Sequence, residues 1–235
     1  MYNNLVIFIS ELHKSARALL ISVVALTVVL FFLSSGLIVS LQSHLQEKLY
    51  FFSVAGPFLA HVKVAFFGAL YLLMPLLTLV LWKAMGKPFG VKGQRLYLFV
   101  VATCLLFYAG TIFCYTVTLP FGVKFLLGFQ SKDLKAVISI GRFVNFVTIF
   151  ILAFGVIFEL PVFMIFSNQV GLVSRRAFER NRRFAILGIA ILAAVLTPTP
   201  DAVNMALMGV PLYLLYEMGI LVIRLVNRGQ GTEEG

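Results

Sequence analysis

Apolar positions fall along this chain in long runs rather than in the alternating or stripe patterns of a water-soluble fold. Six such segments stand out, at about 18–39, 64–82, 96–121, 143–166, 184–196 and 205–226. Four or more of them approach the roughly 20 residues that a helix needs to cross a hydrocarbon core of about 30 Å. They predict an all-α, polytopic membrane protein with six transmembrane helices in a single transmembrane domain, residues 1–235. The fifth run stops after 13 residues at Thr197-Pro198-Thr199-Pro200, and at 1.5 Å per residue it reaches only about 20 Å. The sixth is interrupted by Pro211, Glu217 and Arg224. A linked pair of short helices of this kind is expected to thin the bilayer locally and to line a concave, partly wet surface. Ahead of the first run, Leu5, Phe8, Ile9, Leu12, Ala16 and Leu19 recur at helical spacing. They predict an interfacial helix over 3–17 that runs into the first span. It either anchors the chain or offers its polar edge, with Glu11, for docking. The first run is too long for a signal-peptide core and has no small-residue cleavage site after it, so it is expected to be retained. Residues 229–235 read as a short, polar, disordered tail.

Composition agrees with the pattern. Of 235 residues, 61% are hydrophobic and 12% charged, against about half and a quarter in soluble domains. The net charge of +10 would suggest nucleic acid in a soluble chain, but in a membrane protein such residues sit in loops and set topology. With the N-terminus inside, 13 of the 19 lysines and arginines fall on cytoplasmic segments and 6 outside, which predicts both termini in the cytoplasm. The loop between the third and fourth runs, with four basic residues, pulls the other way. Cys104 and Cys114 are ten apart, roughly 15 Å along a helix, too far to bridge.

The chain offers no nucleophile–base pair, nucleotide loop or metal-ligand cluster, and His13, His44 and His61 are scattered. This points away from catalysis, from cofactors and from metal. The expensive residues are Glu159 and Glu217, carboxylates inside apolar runs, where an ionised group costs a few kcal/mol. Each is a candidate for a cavity-facing functional group or a hydrogen-bonded helix contact. Pro161 removes the hydrogen bond to the carbonyl of Ile157 and predicts a kink beside Glu159. Asp201, just after Pro200, reads as an N-cap.

One ordered series of residues is more specific. Phe154-Gly155-Val156-Ile157-Phe158-Glu159-Leu160-Pro161 resembles the F-G-x-x-F-E-x-P signature of the TatC family, the core of the twin-arginine protein translocase. Gly171, Arg182-Arg183-Phe184, Leu196-Thr197-Pro198-Thr199-Pro200-Asp201 and the run from Pro211 to Tyr216-Glu217 resemble its later motifs, in order and at similar spacing. Upstream, Pro57-Phe58 with Lys63, then Leu105-Leu106-Phe107-Tyr108-Ala109-Gly110 and Pro120, resemble its earlier ones. The resemblance implies six helices in a cup with both ends cytoplasmic, in the bacterial plasma (inner) membrane. It also implies recognition of twin-arginine signal peptides on folded cargo, and recruitment of single-span TatA/TatB-type partners. Export would be driven by the proton-motive force, with a homo-oligomer in the receptor complex.

The chain also departs from the family pattern. Around Glu11 the flanking residues are Phe8, Ile9 and His13 rather than the family's histidine and arginines. In the first cytoplasmic loop, Lys92-Gly93-Gln94-Arg95 has glutamine where the family's second signal-binding acid stands. Met205 replaces the glutamine that follows the T-P-x-D motif. Two guanidinium groups pair best with carboxylates, so Glu11 is the expected first acceptor. Gln94 offers only a neutral oxygen, with Lys92 and Arg95 beside it, and Glu179 is surrounded in sequence by arginines that would neutralise it. Pro198, Glu159, Pro161, Asp201 and Glu217 are the expected intramembrane or partner-contact set. The rival reading is a small proton-coupled secondary transporter relaying through Glu159 and Glu217, but no inverted repeat accompanies it. A purely structural membrane scaffold would leave the two acids without a role.

Overall fold

The computed structural model describes residues 2–45, 49–50, 53–91, 93–127, 138–196 and 202–230. It is an all-α membrane protein whose described residues form two compact units, 1–105 with 127–152, and 106–126 with 153–235. Four helices are long and apolar enough to cross a bilayer, and a bent pair can supply a fifth span.

In the first unit, α1 (Tyr2–Leu45) runs unbroken, so the stretch expected to lie along the interface and the first span share one helix. Mean hydropathy is high throughout Ser15–Ser43, and almost none of it is buried, as suits a helix whose neighbour is lipid. The run expected as one helix over 64–82 is two, α2 (Gly56–Leu72) and α3 (Met74–Phe89), bent by 54° at Leu73. Pro75 explains the bend, since it has no N–H for the carbonyl of Tyr71. α1 packs on both. There the buried Ser34 hydroxyl hydrogen-bonds His61 Nδ1 at 2.8 Å, beside the edge-to-face contact of Phe31 with Phe58. Further along, Trp82 stacks on Phe99 at 4.7 Å and donates to Thr103 Oγ1 at 2.9 Å. The loops carry one two-residue parallel bridge, β1 (Leu49–Tyr50) with β2 (Ile138–Ser139).

α4 (Gln94–Phe113) leads through a π-helical turn, Cys114–Thr118, into α5 (Leu119–Leu127). The turn ends just before Pro120, which cannot donate a helical hydrogen bond. α6 (Ile140–Phe158) is interrupted at Glu159 and resumes as α7 (Leu160–Gln169), the two counting as one 30-residue span.

In the second unit, the ends of α4 and α6 approach as closely as backbone allows. A Cβ on Gly110 would lie 2.6 Å from Phe158 Cγ, and one on Gly155 2.5 Å from Phe107 Cε2. Phe113 rests on Phe154 and Phe158 beside them. After the short α8 (Arg175–Arg180), capped by the Ser174 hydroxyl, come α9 (Arg182–Leu196) and α10 (Ala202–Gln230). α9, at 15 residues and about 22 Å, is short, as its sequence predicts. α10 is not. The expectation of a short sixth helix fails because Pro211 sits inside a continuous 29-residue helix, and Met208–Val226 is long enough to span. A proline near the start of a membrane helix costs one hydrogen bond without ending it. α10 packs on α7 and α9, with Gly219 against Met164 and Pro161.

Candidate functional site

Three groups of candidate residues emerge. The first surrounds the turn between α3 and α4. α3 closes with Gly90 in the left-handed region, at φ +70°, and Gly93 at +63° launches α4. Gly86 is required here too, since a Cβ on it would meet the Val91 carbonyl oxygen at 2.5 Å. These glycines leave Gln94 and Arg95 exposed on the first turn of α4, which holds no acid. That turn carries the positive end of the helix dipole, where a carboxylate is favoured. Lys92 and the side chain of Glu11, which falls on α1, lie outside the described residues.

The second group sits at the junction of α6 and α7. Glu159 is half-buried at the break, with its N–H bonded to the Val156 carbonyl at 3.1 Å and its own carbonyl accepting from Phe163 at 3.0 Å. Pro161, two residues on, is buried at the start of α7. The interruption predicted for this point is therefore present, and it holds an acid within the span. Pro198 and Asp201 lie outside the described residues.

The third group was not assembled from sequence. Glu217 on α10 accepts from Arg182 Nη2 on α9 and from the Tyr213 hydroxyl, both at 3.0 Å. From the residue just before Glu217, the Tyr216 hydroxyl donates to the Phe178 carbonyl at 2.8 Å. Glu179 on α8 accepts from Arg175 at 2.9 Å and from Arg224 on α10 at 3.4 Å. The hydrogen bond from Arg175, reinforced by Arg224, holds its carboxyl below the usual glutamate range. Two carboxylates thus clasp α8, α9 and α10 together, through pairs whose side chains stay partly exposed. Beside them opens a groove of about 590 Å³ lined by Asn168, Ser174, Arg175, Arg176 and Glu179 among others. Of these contacts, Arg175–Glu179 and Tyr213–Glu217 have short-range helical spacing. The 35-residue separation of Arg182 and Glu217 carries no periodic signal, although both residues belong to the ordered motif series. Chemically the group can bind and orient ions, and among the described residues no set of His, Cys, Asp and Glu could hold a metal.

Comparison with known proteins reaches the same place. Residues 8–211 match the family model described as Sec-independent protein translocase protein (TatC). The Sec-independent protein translocase protein TatC of Deinococcus radiodurans is 36% identical over 172 residues, covering 73% of this chain and 64% of that protein. Its namesake from Desulforapulum autotrophicum is 33% identical over 189 residues, covering 80% and 70%. Among solved structures, a crystal structure of the twin-arginine translocase receptor TatC shares the fold, with a TM-score of 0.78 at 22% identity. That match covers 92% of this chain and 98% of the other. The family match takes in the Glu159–Pro161 junction, Arg182 and the α3–α4 turn alike, and this chain belongs to the TatC family of Sec-independent protein translocase proteins.

Proposed function

We propose that this chain is the subunit of a bacterial plasma-membrane translocase that recognises twin-arginine signal peptides on folded cargo. It then recruits TatA/TatB-type single-span partners for export driven by the proton-motive force, working as a homo-oligomer with both termini in the cytoplasm. The observation that carries this reading is the family match across residues 8–211. The distribution of acids supports Glu11 as the acceptor for the arginine pair. Glu179 and Glu217 are already engaged by Arg175, Arg224 and Arg182, and the α3–α4 turn presents Gln94 instead of an acid. Glu159 and Pro161 supply polarity within the span for a partner helix, with Pro198 and Asp201 on the approach to α10. The relay reading is weaker, because a carboxylate paired with arginine at a partly exposed position is a poor carrier of protons at bilayer depth.

The test is the affinity of the full-length protein for a twin-arginine peptide at low and high salt. Glu11→Gln should severely weaken binding, and indifference would remove Glu11 from the site. Gln94→Glu should tighten it by roughly 0.5–2 kcal/mol, since charge-assisted hydrogen bonds are worth about 1.5–3 kcal/mol against about 1 for neutral ones. The exposure of the turn pulls this toward the low end, and added salt should shrink it. A Gln94→Glu variant that gains thermal stability without affinity would show helix capping alone. For topology, single-cysteine labelling in intact cells should place loops 83–95 and 175–183 inside and 41–63 outside. Labelling of 175–183 from the periplasm would overturn the orientation.

A further inference from the structure

The three candidate groups do not use the cavity of about 420 Å³ at the heads of α2 and α6, within the first unit. It is lined by Lys63, Arg142, Asn145, Ser53 and Ser139, with apolar Leu59 and Ala60. No carboxylate lines it among the described residues. Its walls are tied together by the pairing of Tyr50 with Ser139 and by the bond from Lys63 Nζ to Asn145 Oδ1 at 3.1 Å. An ammonium carries three donors, so this bond leaves Lys63 capacity for a ligand. Arg142, exposed on the first turn of α6, adds a planar fork suited to two oxygens at once. The dipoles of two helices, of 17 and 19 residues, also present their positive ends here.

Depth narrows the ligand. Arg142 lies two residues inside α6 and Lys63 seven inside α2, about 3 and 10 Å of rise. With the heads of α2 and α6 at the membrane surface, these depths match the polar zone of a bilayer, which is roughly 5–8 Å thick on each side. Lysine reaches such a zone by laying its aliphatic stem along apolar surface, and Leu59 and Ala60 provide that surface. We propose that this cavity binds the phosphodiester head group of a membrane lipid of net negative charge. The inference stands apart from signal-peptide recognition, and either could fail without the other.

The experiment uses the detergent-solubilised full-length chain, titrated with dioleoyl phosphatidylglycerol or dioleoyl phosphatidylcholine and read by native mass spectrometry. The wild type should hold phosphatidylglycerol roughly 25-fold more tightly, about fivefold for each of the two cations near an anionic head group. Lys63→Gln combined with Arg142→Gln should bring the ratio close to one. Lys63→Arg with Arg142→Lys should preserve it, which separates lost charge from a damaged fold. Lys83→Gln, an exposed site on α3, should leave the preference intact. A double glutamine variant that keeps the preference would overturn the proposal. So would displacement of the lipid by millimolar inorganic phosphate, which would assign the cavity to a free anion.

Discussion

Gly110 and Gly155 join α4 to α6, and Arg182 and Glu217 join α9 to α10, by opposite means. Each glycine lacks a side chain, and a phenylalanine of the opposing helix, Phe158 or Phe107, lies where its Cβ would otherwise project. Between the charged residues two long side chains reach out to a 3.0 Å contact. The difference follows from what each pair of helices can bury. In hydrocarbon, apolar helices gain nothing by leaving lipid for one another, so attraction comes from close packing. An ion pair reaches across a wider gap and can hold a shorter helix that buries less. The clasp suits α9, which is too short to be fixed by length alone.

The largest effect should come from filling the glycine contact. Gly155→Val places two methyl groups against Phe107 and Thr111, and Gly110→Ala runs into the Phe154 carbonyl oxygen as well as Phe158. Overpacking typically costs about 1–3 kcal/mol, and the rigid backbone oxygen argues for the upper end. Both variants should melt earlier or fail to accumulate in membranes. A Gly110→Ala protein that melts like the wild type would show that close approach is not what joins α4 to α6.

The clasp should yield less. A double-mutant cycle on Arg182→Gln and Glu217→Gln should give a coupling of about 0.5–1 kcal/mol, since both side chains are partly exposed. A coupling above about 2 kcal/mol would mean the pair is dry, and the contrast with the glycine contact would then collapse.

Smaller still is the pH dependence of Glu179. Its carboxyl titrates lower in the folded chain than in the unfolded one, so its contribution is present above the unfolded value. That contribution is lost as pH falls through the folded value. Glu179→Gln should lower the melting temperature slightly at neutral pH and leave the strongly acid region unchanged, so that the acid limb of the profile flattens. An unchanged acid limb would show that the arginine contacts do not favour the charged form.

At the bottom of the scale, Gly219→Ala should be nearly silent. Its Cβ would lie 3.0 Å from Met164 Sδ, in a flexible side chain that can move, and 3.3 Å from Pro161 Cα. Alanine regains up to about 1 kcal/mol of helix propensity, which offsets this tightness. A collapse as large as that of Gly155→Val would place the α7–α10 contact in the same tight class.

What could be read from the chain divides along similar lines. Apolar runs and the motif series are local, so the helices and the family were legible, and the break beside Glu159 followed from Pro161. The bend at Leu73 had its signal in Pro75, inside the second run, but mean hydropathy passes over a single proline. Pro211 carried the same signal and did not break its helix, so the residue alone does not decide the outcome. The ion pairs of α10 were not legible, because contacts across 35 and 45 residues leave no trace in spacing. Nor does sequence reveal that Lys63 meets Asn145 across 82 positions.

The π-helical turn Cys114–Thr118 has a consequence for how this span is numbered around its axis. One extra residue in a turn shifts the phase of everything after it by about 100°. Phe107, Thr111, Cys114 and Thr118 approach the turn on one buried stripe, and Leu119 and Val123 continue it beyond. A helical wheel drawn with one period from Gln94 onward therefore assigns the last residues to the wrong face. Deleting a single residue within the turn would restore a regular helix with Leu119 and Val123 still on that stripe, whereas winding the full-length turn as regular helix would swing them out of the protein. Phe121, exposed in the native register, would be carried round with them.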